Sequence, residues 1–342
     1  MRRSVMASLV ALAALLVVGA AHAGPPADAA PHWASAEIEQ VVNAGVMGPT
    51  VGEFRPGEAL TWGELAEIIG AIGGRTPVVR DPARLVKLAQ LDAWLVRTAK
   101  LGAAAKRVRR ELVRVGFSPP RRVATETVAR LAGFRTNHEQ VDETREISPS
   151  EPVSRGEAAY SFARLLELAV WERKAIKRQT RSLSLPEMSD WQREVLSRAL
   201  GVVGYPYVWA GISSERQQLF GQDVSGGFDC SGFTWYVYKG LPYAGAEHLG
   251  SQLVGRTSYA MSGEFDRSQR VSFDELQPAD VLFFGGSGVK SKPREVGHMG
   301  IYLGGGWMVH SSSRGTTLRP ISDYYRERFA WGRRVLAEAG LS

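Results

Sequence analysis

Cys230 is the only cysteine among 342 residues, and it stands in the stretch GGFDCSGFTWYVYKG at 226–240. A lone cysteine closes no internal disulfide, so it is either a small buried apolar group or a thiol kept for chemistry. Its neighbours favour chemistry. Asp229 or Cys230 opens a predicted helix that runs to about Tyr238, with Gly240 as its stop. Free amides and the dipole at a helix N-terminus favour a thiolate, so the thiol is expected to titrate below the usual value of about 8.5. Gly226 and Gly227 admit close backbone approach, and Gly232 leaves the first turn bare, so a substrate carbonyl could reach the sulfur.

A thiol nucleophile needs a base. Of the six histidines, His298 and His310 fall in GHMGIYLGGGWMVHSSS, which reads as two strands around Gly304-Gly305-Gly306. A hairpin centred on Gly305 sets Leu303 opposite Trp307, Tyr302 opposite Met308 and Gly300 opposite His310. Side chains alternate along a strand, so His298, Gly300 and His310 share one face while Met299, Ile301 and Leu303 point to the buried one. The two histidines are then diagonal neighbours, about 7 Å apart between α-carbons. His248, in the loop-like AGAEHLGSQ, is a lesser candidate; His32 belongs to a repeat and His138 to a polar loop.

The chemistry follows from these roles. His298 takes the Cys230 proton or holds a thiolate–imidazolium pair, and His310 fixes the tautomer of His298 through its far nitrogen. The sulfur attacks an amide carbonyl, and water resolves the acyl-enzyme. The Cys230 amide and the Tyr207 hydroxyl are the expected donors to the oxyanion. A zinc site from the same three residues has suitable ligand types but lacks a short ligand pair and ranks below the thiol reading. No cofactor or metal is expected.

Length and composition describe what must hold these groups. The chain is long enough for two domains, and 44% hydrophobic with 23% charged residues fits a folded protein. A net charge of +7 favours anionic polymers as partners. No zinc-finger spacing, basic zipper or aromatic-rich RNA motif is present, so nucleic acid is not an expected partner. Arg2 and Arg3, an apolar run from Ala7 to Ala20 and Ala21-His22-Ala23 read as a secretory signal peptide over 1–23. The run is short of the roughly 20 apolar residues of a membrane span. A secreted or wall-associated monomer, free of the membrane after cleavage, is expected.

The front half carries a repeat. FRPGEALTWGELA at 54–66 aligns without a gap with ISPSEPVSRGEAA at 147–159, and FSPPRRVATETVA at 117–129 keeps the opening. Thr61-x-x-Glu64 and Ser154-x-x-Glu157 are capping boxes, which predicts helices over 61–72, about 124–132 and 154–172. Further helical patterns cover 83–101 and 103–115, and WERKAIKRQTR at 171–181 is a basic, solvated helix face. With His32-Trp33-Ala34, Ala44-Gly45-Val46 and Phe54-x-Pro56, these features resemble the S-layer homology module over about 32–170. The resemblance implies an all-α domain over 24–182 and contact with an anionic secondary wall polymer. The usual Thr-Arg-Ala-Glu cap has Trp62 in the first copy and Arg155 in the third. SLSLPEMSD then reads as an interdomain linker, placed at 183–190.

Within a domain expected over 191–342, PYVWAG, FDCSGF, LQPADVLFF, GHMGIYLG and MVHSS occur in an order that resembles the NlpC-type cell-wall peptidases over about 190–335. The resemblance implies an α+β, papain-like fold in which a cysteine-bearing helix packs on an antiparallel sheet bearing the histidine pair. It implies Cys230 as nucleophile, His298 as base and His310 as orienting residue, with Tyr207, Trp209, Asp229 and Ser231 against substrate. The implied activity is a cysteine-type D,L-endopeptidase that cuts between γ-D-glutamate and diaminopimelate in peptidoglycan stem peptides. An amidase or acyltransferase on the same scaffold, or a wall-binding adaptor with a silent catalytic half, are the alternatives. Trp209-Ala210-Gly211 stands where the family usually has Trp-Gly-Gly, 212–225 and 285–296 are long, and Asp280 reads as a structural turn residue.

Overall fold

The computed structural model describes residues 32–341, so the signal peptide expected over 1–23 lies outside the described residues. The front half is helical: α1 (Ser35–Asn43), α2 (Trp62–Ala71), α3 (Leu88–Thr98), α4 (Gly102–Arg114), α5 (Val123–Leu131), α6 (Arg155–Glu167) and α7 (Val170–Ser182). The first capping box forms in full. The Glu64 amide donates to Thr61 Oγ1 at 3.3 Å, and the Thr61 amide donates to the Glu64 carboxylate at 2.9 Å. The second forms by half. Ser154 Oγ accepts the Glu157 amide at 3.1 Å, but the Glu157 carboxylate turns to His138 Nε2 at 2.7 Å.

Two predicted helices change their limits for identifiable reasons. The helix expected over 154–172 is broken after Glu167, because the Ala169 amide donates to the Glu172 carboxylate at 2.8 Å and starts α7 afresh. The helix expected from residue 83 starts at Leu88. Val86 instead donates to the Leu60 carbonyl and accepts from the Val153 amide, both at 2.9 Å, so long-range backbone bonds between the repeat entry loops override local helix propensity. Arg155, the cap-motif arginine, is buried. Its Nε donates to the Phe54 carbonyl at 2.7 Å and its Nη1 binds the Glu64 carboxylate, which ties the third repeat to the first.

The expected linker packs tightly. Leu183 and Leu185 are buried, and the Leu185 amide donates to Glu111 at 2.7 Å. It leads to α8 (Asp190–Gly201), two small ribbons in β1 (Ile212–Ser213), β2 (Gln217–Leu219), β3 (Gln222–Val224) and β4 (Gly227–Phe228), then α9 (Cys230–Lys239) and α10 (Ser258–Gly263). The remainder is β5 (Val281–Gly285), β6 (Val296–Gly304), β7 (Trp307–Ser312), β8 (Gly315–Pro320), α11 (Asp323–Arg328), β9 (Phe329–Arg333) and α12 (Val335–Glu338). One antiparallel sheet orders its strands β8-β7-β6-β5-β9, and α9, with Phe233 and Val237 buried, packs on β6 and β7. The architecture is α+β with an all-α front half. No described helix is long and apolar enough to cross a membrane.

The hairpin register agrees with the expected one at Tyr302 and Met308, but a bulge sets Gly304, not Leu303, opposite Trp307. Gly304, Gly305 and Gly306 all have positive φ, a run that only glycine adopts without strain. Beyond the bulge, Ile301 pairs with Val309. A side chain at Gly300 would place its Cβ 2.9 Å from His310 Cβ, so glycine makes room for that imidazole.

Residues 34–342 cohere as one compact unit, and the helical half grips the segment 204–211. Arg130, 3% exposed, donates to the carbonyls of Gly204 and Arg314. Asn137 Nδ2 donates to the Tyr207 carbonyl at 2.8 Å, and the Trp209 amide donates to Glu143 at 2.5 Å. Gly232, in the first turn of α9, lies so near the Gly211 carbonyl that an added Cβ would collide with that oxygen. Gly232→Ala is therefore expected to cost about 1–3 kcal/mol of stability by overpacking. A denaturant midpoint indistinguishable from wild type would contradict this close approach.

Candidate active site

Asp229 caps α9. Its carboxylate accepts the Gly232 amide and, at 2.9 Å, the Ser231 hydroxyl. Arg256 donates to Asp229 Oδ2 at 3.1 Å, to Ser231 Oγ at 2.8 Å and to the Ala210 carbonyl at 2.9 Å. No motif marks Arg256 in the sequence; only the folded chain brings it across to α9. It holds Asp229, Ser231 and the 204–211 segment as one unit, so these side chains are oriented before any ligand arrives.

Cys230 is half-buried at the mouth of α9. The amides of Met299, Ser231 and Cys230 favour its thiolate, but burial outweighs them and, with the Asp229 carboxylate, pushes the thiol up to about 12. This corrects the expectation of a lowered thiol. A helix N-terminus offers a fraction of a charge, and here it works against lost solvation and an adjacent full negative charge. The Met299 amide, immediately after His298, places the sulfur at the His298 end of β6.

His298 Nε2 lies 2.7 Å from His310 Nδ1, so the two histidines meet directly across the Gly300 gap. Burial, reinforced by the Arg319 charge, lowers His298 to about 4. His310 is 0% exposed, and burial, then His298 and Arg319, lower it well below the ordinary value. At neutral pH the site therefore holds a thiol and two neutral imidazoles, not a standing ion pair. For His298 to act as base, its Nε2–H donates to His310 Nδ1 and its Nδ1 keeps the free lone pair. Binding a metal through Cys230, His298 and His310 would require that contact to break.

Alkylation of Cys230 by iodoacetamide in the free protein is accordingly expected to keep rising by about tenfold per pH unit through pH 10. A plateau in the rate below pH 8, followed by mass spectrometry, would show a thiolate already present and contradict the buried-thiol account.

A cavity of about 620 Å³ opens beside the pair, walled by Tyr207, Phe284, His298, Tyr325 and, from the helical half, Asn137 and His138. Burial, then the neighbouring Cys230 and Asp229, raise Tyr207 far above its ordinary range, so its hydroxyl stays a donor. Trp209 is 50% exposed and lies outside this wall. His248 bonds the Ala339 carbonyl at 2.9 Å and does not join the site. Asp280 accepts the Gln277 amide at 2.8 Å and pairs with Arg334 at 3.0 Å, a structural turn as expected.

A cysteine at a helix mouth, packed on an antiparallel sheet that carries paired imidazoles, is the papain-like arrangement. Residues 204–335 match the NlpC/P60 family and residues 27–66 match the S-layer homology domain. The chain is 26% identical over 169 residues to "Probable endopeptidase YafL" of Escherichia coli (strain K12), which covers 48% of this chain and 58% of the relative. It is 28% identical over 141 residues to "Gamma-D-glutamyl-L-lysine dipeptidyl-peptidase" of Bacillus subtilis (strain 168), covering 41% of this chain and 39% of the relative. Identity to "Probable peptidoglycan endopeptidase LytE" of the same organism is 32% over 143 residues, covering 41% and 34%. The chain thus spans less than two thirds of each relative's length. The crystal structure of an NlpC/P60 family protein from Bacillus cereus is similar at 28% identity and a TM-score of 0.33, covering 45% of this chain and 43% of that one.

Proposed function

We propose that the protein is a secreted or wall-associated peptidoglycan hydrolase, a cysteine peptidase that cuts the γ-D-glutamyl–diaminopimelate bond of stem peptides. The observation that carries this reading is the 2.7 Å contact between His298 and His310 at the strand end nearest the Cys230 sulfur. The names of the matched relatives support the class of substrate. In this reading the signal peptide is 1–23, the S-layer-homology-like domain 24–182, the linker 183–190 and the peptidase domain 191–342.

Because thiol and imidazole are both neutral at rest, proton transfer accompanies attack. As the sulfur bonds the amide carbon, its proton passes to His298 Nδ1, and His310 stabilises the imidazolium through Nε2–H. The Cys230 amide and the Tyr207 hydroxyl donate to the oxyanion. Collapse breaks the C–N bond, and the leaving amine takes the proton from His298. Water then attacks the thioester, His298 accepts its proton, and the carboxylate departs as the thiol is restored.

Digestion of defined muropeptides with mass analysis tests this reading. Wild type should release a free γ-glutamyl carboxylate and Cys230→Ala should release none. Release of lactate-linked or other products by wild type would point to an amidase, and wall binding without any cleavage to an adaptor.

A further inference from the structure

The mechanism uses His298 and His310 but not the groups that surround them. His310 Nδ1 faces His298, and its Nε2 is buried with no hydrogen-bond partner among the described residues. Ring packing is what else holds the pair. Phe284 lies 5.8 Å from His298 between ring centres. Tyr325, from α11, packs on both imidazoles, with ring centres 5.7 Å from His298 and 5.2 Å from His310, nearly perpendicular to the latter at 89°. The same Tyr325 ring meets a cation: the Arg319 guanidinium carbon is 5.2 Å from its centre.

The sheet explains how Arg319 comes there. β8 sets Arg319 opposite Met308 and Thr317 opposite His310. Alternate residues share a face, so Arg319 and His310 lie on the same face, one diagonal step apart. Arg319 is partly buried, its Nε has no hydrogen-bond partner, and no carboxylate is among the groups that act on its charge. Tyr325 walls the 620 Å³ cavity and Arg319 does not, so a ligand in the cavity meets the ring and not the guanidinium.

An uncompensated cation beside two imidazoles disfavours a proton on either. Its charge acts on both His298 and His310. The other titratable groups around the pair are Tyr207, Tyr324, Arg328, Glu295 and His138 on the cavity wall and Cys230 at the mouth of α9. None of these is a cause of the His298 shift, which comes from burial and Arg319. A proton resting on His298 Nδ1 would leave no lone pair for the thiol.

We propose that Arg319 is a positioning residue of the peptidase, which keeps the His298–His310 pair unprotonated between turnovers and so preserves the base in acid surroundings. This rests on the hydrolase reading above. The same charge makes the imidazolium formed during attack a stronger acid towards the leaving amine.

The experiment follows kcat/KM on a defined muropeptide from mildly alkaline to acid pH for wild type, Arg319→Gln, Arg319→Met and Arg319→Lys. The wild-type acid limb should fall near pH 4. Arg319→Gln and Arg319→Met remove the charge, so the pair takes a proton more readily. Their limb should move up by about one pH unit, a loss of about tenfold at the acid end that shrinks towards neutrality. Arg319→Lys keeps a cation and should hold the limb close to wild type. In the Cys230→Ala protein, the C2–H resonances of the two histidines should titrate higher when Arg319→Gln is added. An unmoved limb with unmoved resonances overturns the proposal while leaving the hydrolase reading intact. So does a loss equal at every pH with a lower denaturation midpoint, which makes Arg319 structural alone, or a loss carried by KM at every pH, which makes it a substrate contact. A limb displaced as far by Arg319→Lys as by Arg319→Gln also overturns it, because charge is then not the cause. Wild type that cleaves no muropeptide removes the hydrolase reading and this role with it.

Discussion

Cys230→Ala should reduce stem-peptide cleavage on the order of 10⁴-fold or more, with the fold and wall binding retained. Removing the nucleophile of a covalent mechanism removes the acyl-enzyme route itself, and what survives is the effect of binding and the oxyanion donors. Cys230 is the only cysteine, so no second thiol can take over. Trimming the thiol to a methyl group leaves the Asp229 cap, the Ser231 hydroxyl and the Arg256 bridge in place. Circular dichroism and the denaturation midpoint should therefore stay near wild type while product formation disappears. His298→Ala belongs to the same unit and should lose nearly as much on its own, because attack by a thiol near 12 depends on a base accepting its proton. Residual cleavage by Cys230→Ala within tenfold of wild type would remove the thiol mechanism.

Arg130→Met should destabilise the protein by about 3–5 kcal/mol, because removing one member of a buried charged network strands the rest. Arg130 is buried on α5, 3.9 Å from the Glu126 carboxylate, and donates to two carbonyls in the C-terminal half. Burial, then the Asp92 charge, raise Glu126 well above the carboxylate range. Besides the Glu126 and Asp92 charges, the guanidinium has the carbonyls of Gly204 and Arg314 as hydrogen-bond partners. Replacing it with an apolar chain of similar length leaves the Gly204 oxygen buried without this donor and removes the bond to the Arg314 carbonyl. The segment they anchor carries Tyr207, so activity should fall with stability. Arg130→Lys keeps the charge but not the fork and should recover only part of the loss. Urea denaturation reads the difference, and a shift worth less than about 1 kcal/mol would mean that the two halves are held together elsewhere.

Local patterns in the sequence carried some of this arrangement and missed other parts. Thr61 and Glu64 announce a cap because both partners lie within one turn, and the full capping box forms. The same pattern at Ser154 and Glu157 forms only by half, because a buried histidine from another segment competes for the carboxylate. Alternation along β6 and β7 brought His298 towards His310 despite a misplaced bulge, since Gly300 opposite His310 leaves the space whatever the turn does. Arg256, Glu143, Asn137, Glu295 and Arg328 carry no local signature, and nothing in the chain order marks them as neighbours of the site.

The amino-acid sequence alone determined the cysteine at a helix mouth, the shared face of two histidines, the capped helices of the front half and the α+β class. These depend on residue spacing within a helix turn or a strand pair, where geometry is periodic and short-ranged. Tertiary structure alone decided the charge state of the site and the company it keeps. Solvent exclusion around Cys230 and His298 is a property of everything packed over them, and it reversed the thiol's expected shift. The grip of the helical half on 204–211 likewise joins residues some seventy positions apart, such as Asn137 and Tyr207, which meet only because both halves bury their backbone polar groups against each other.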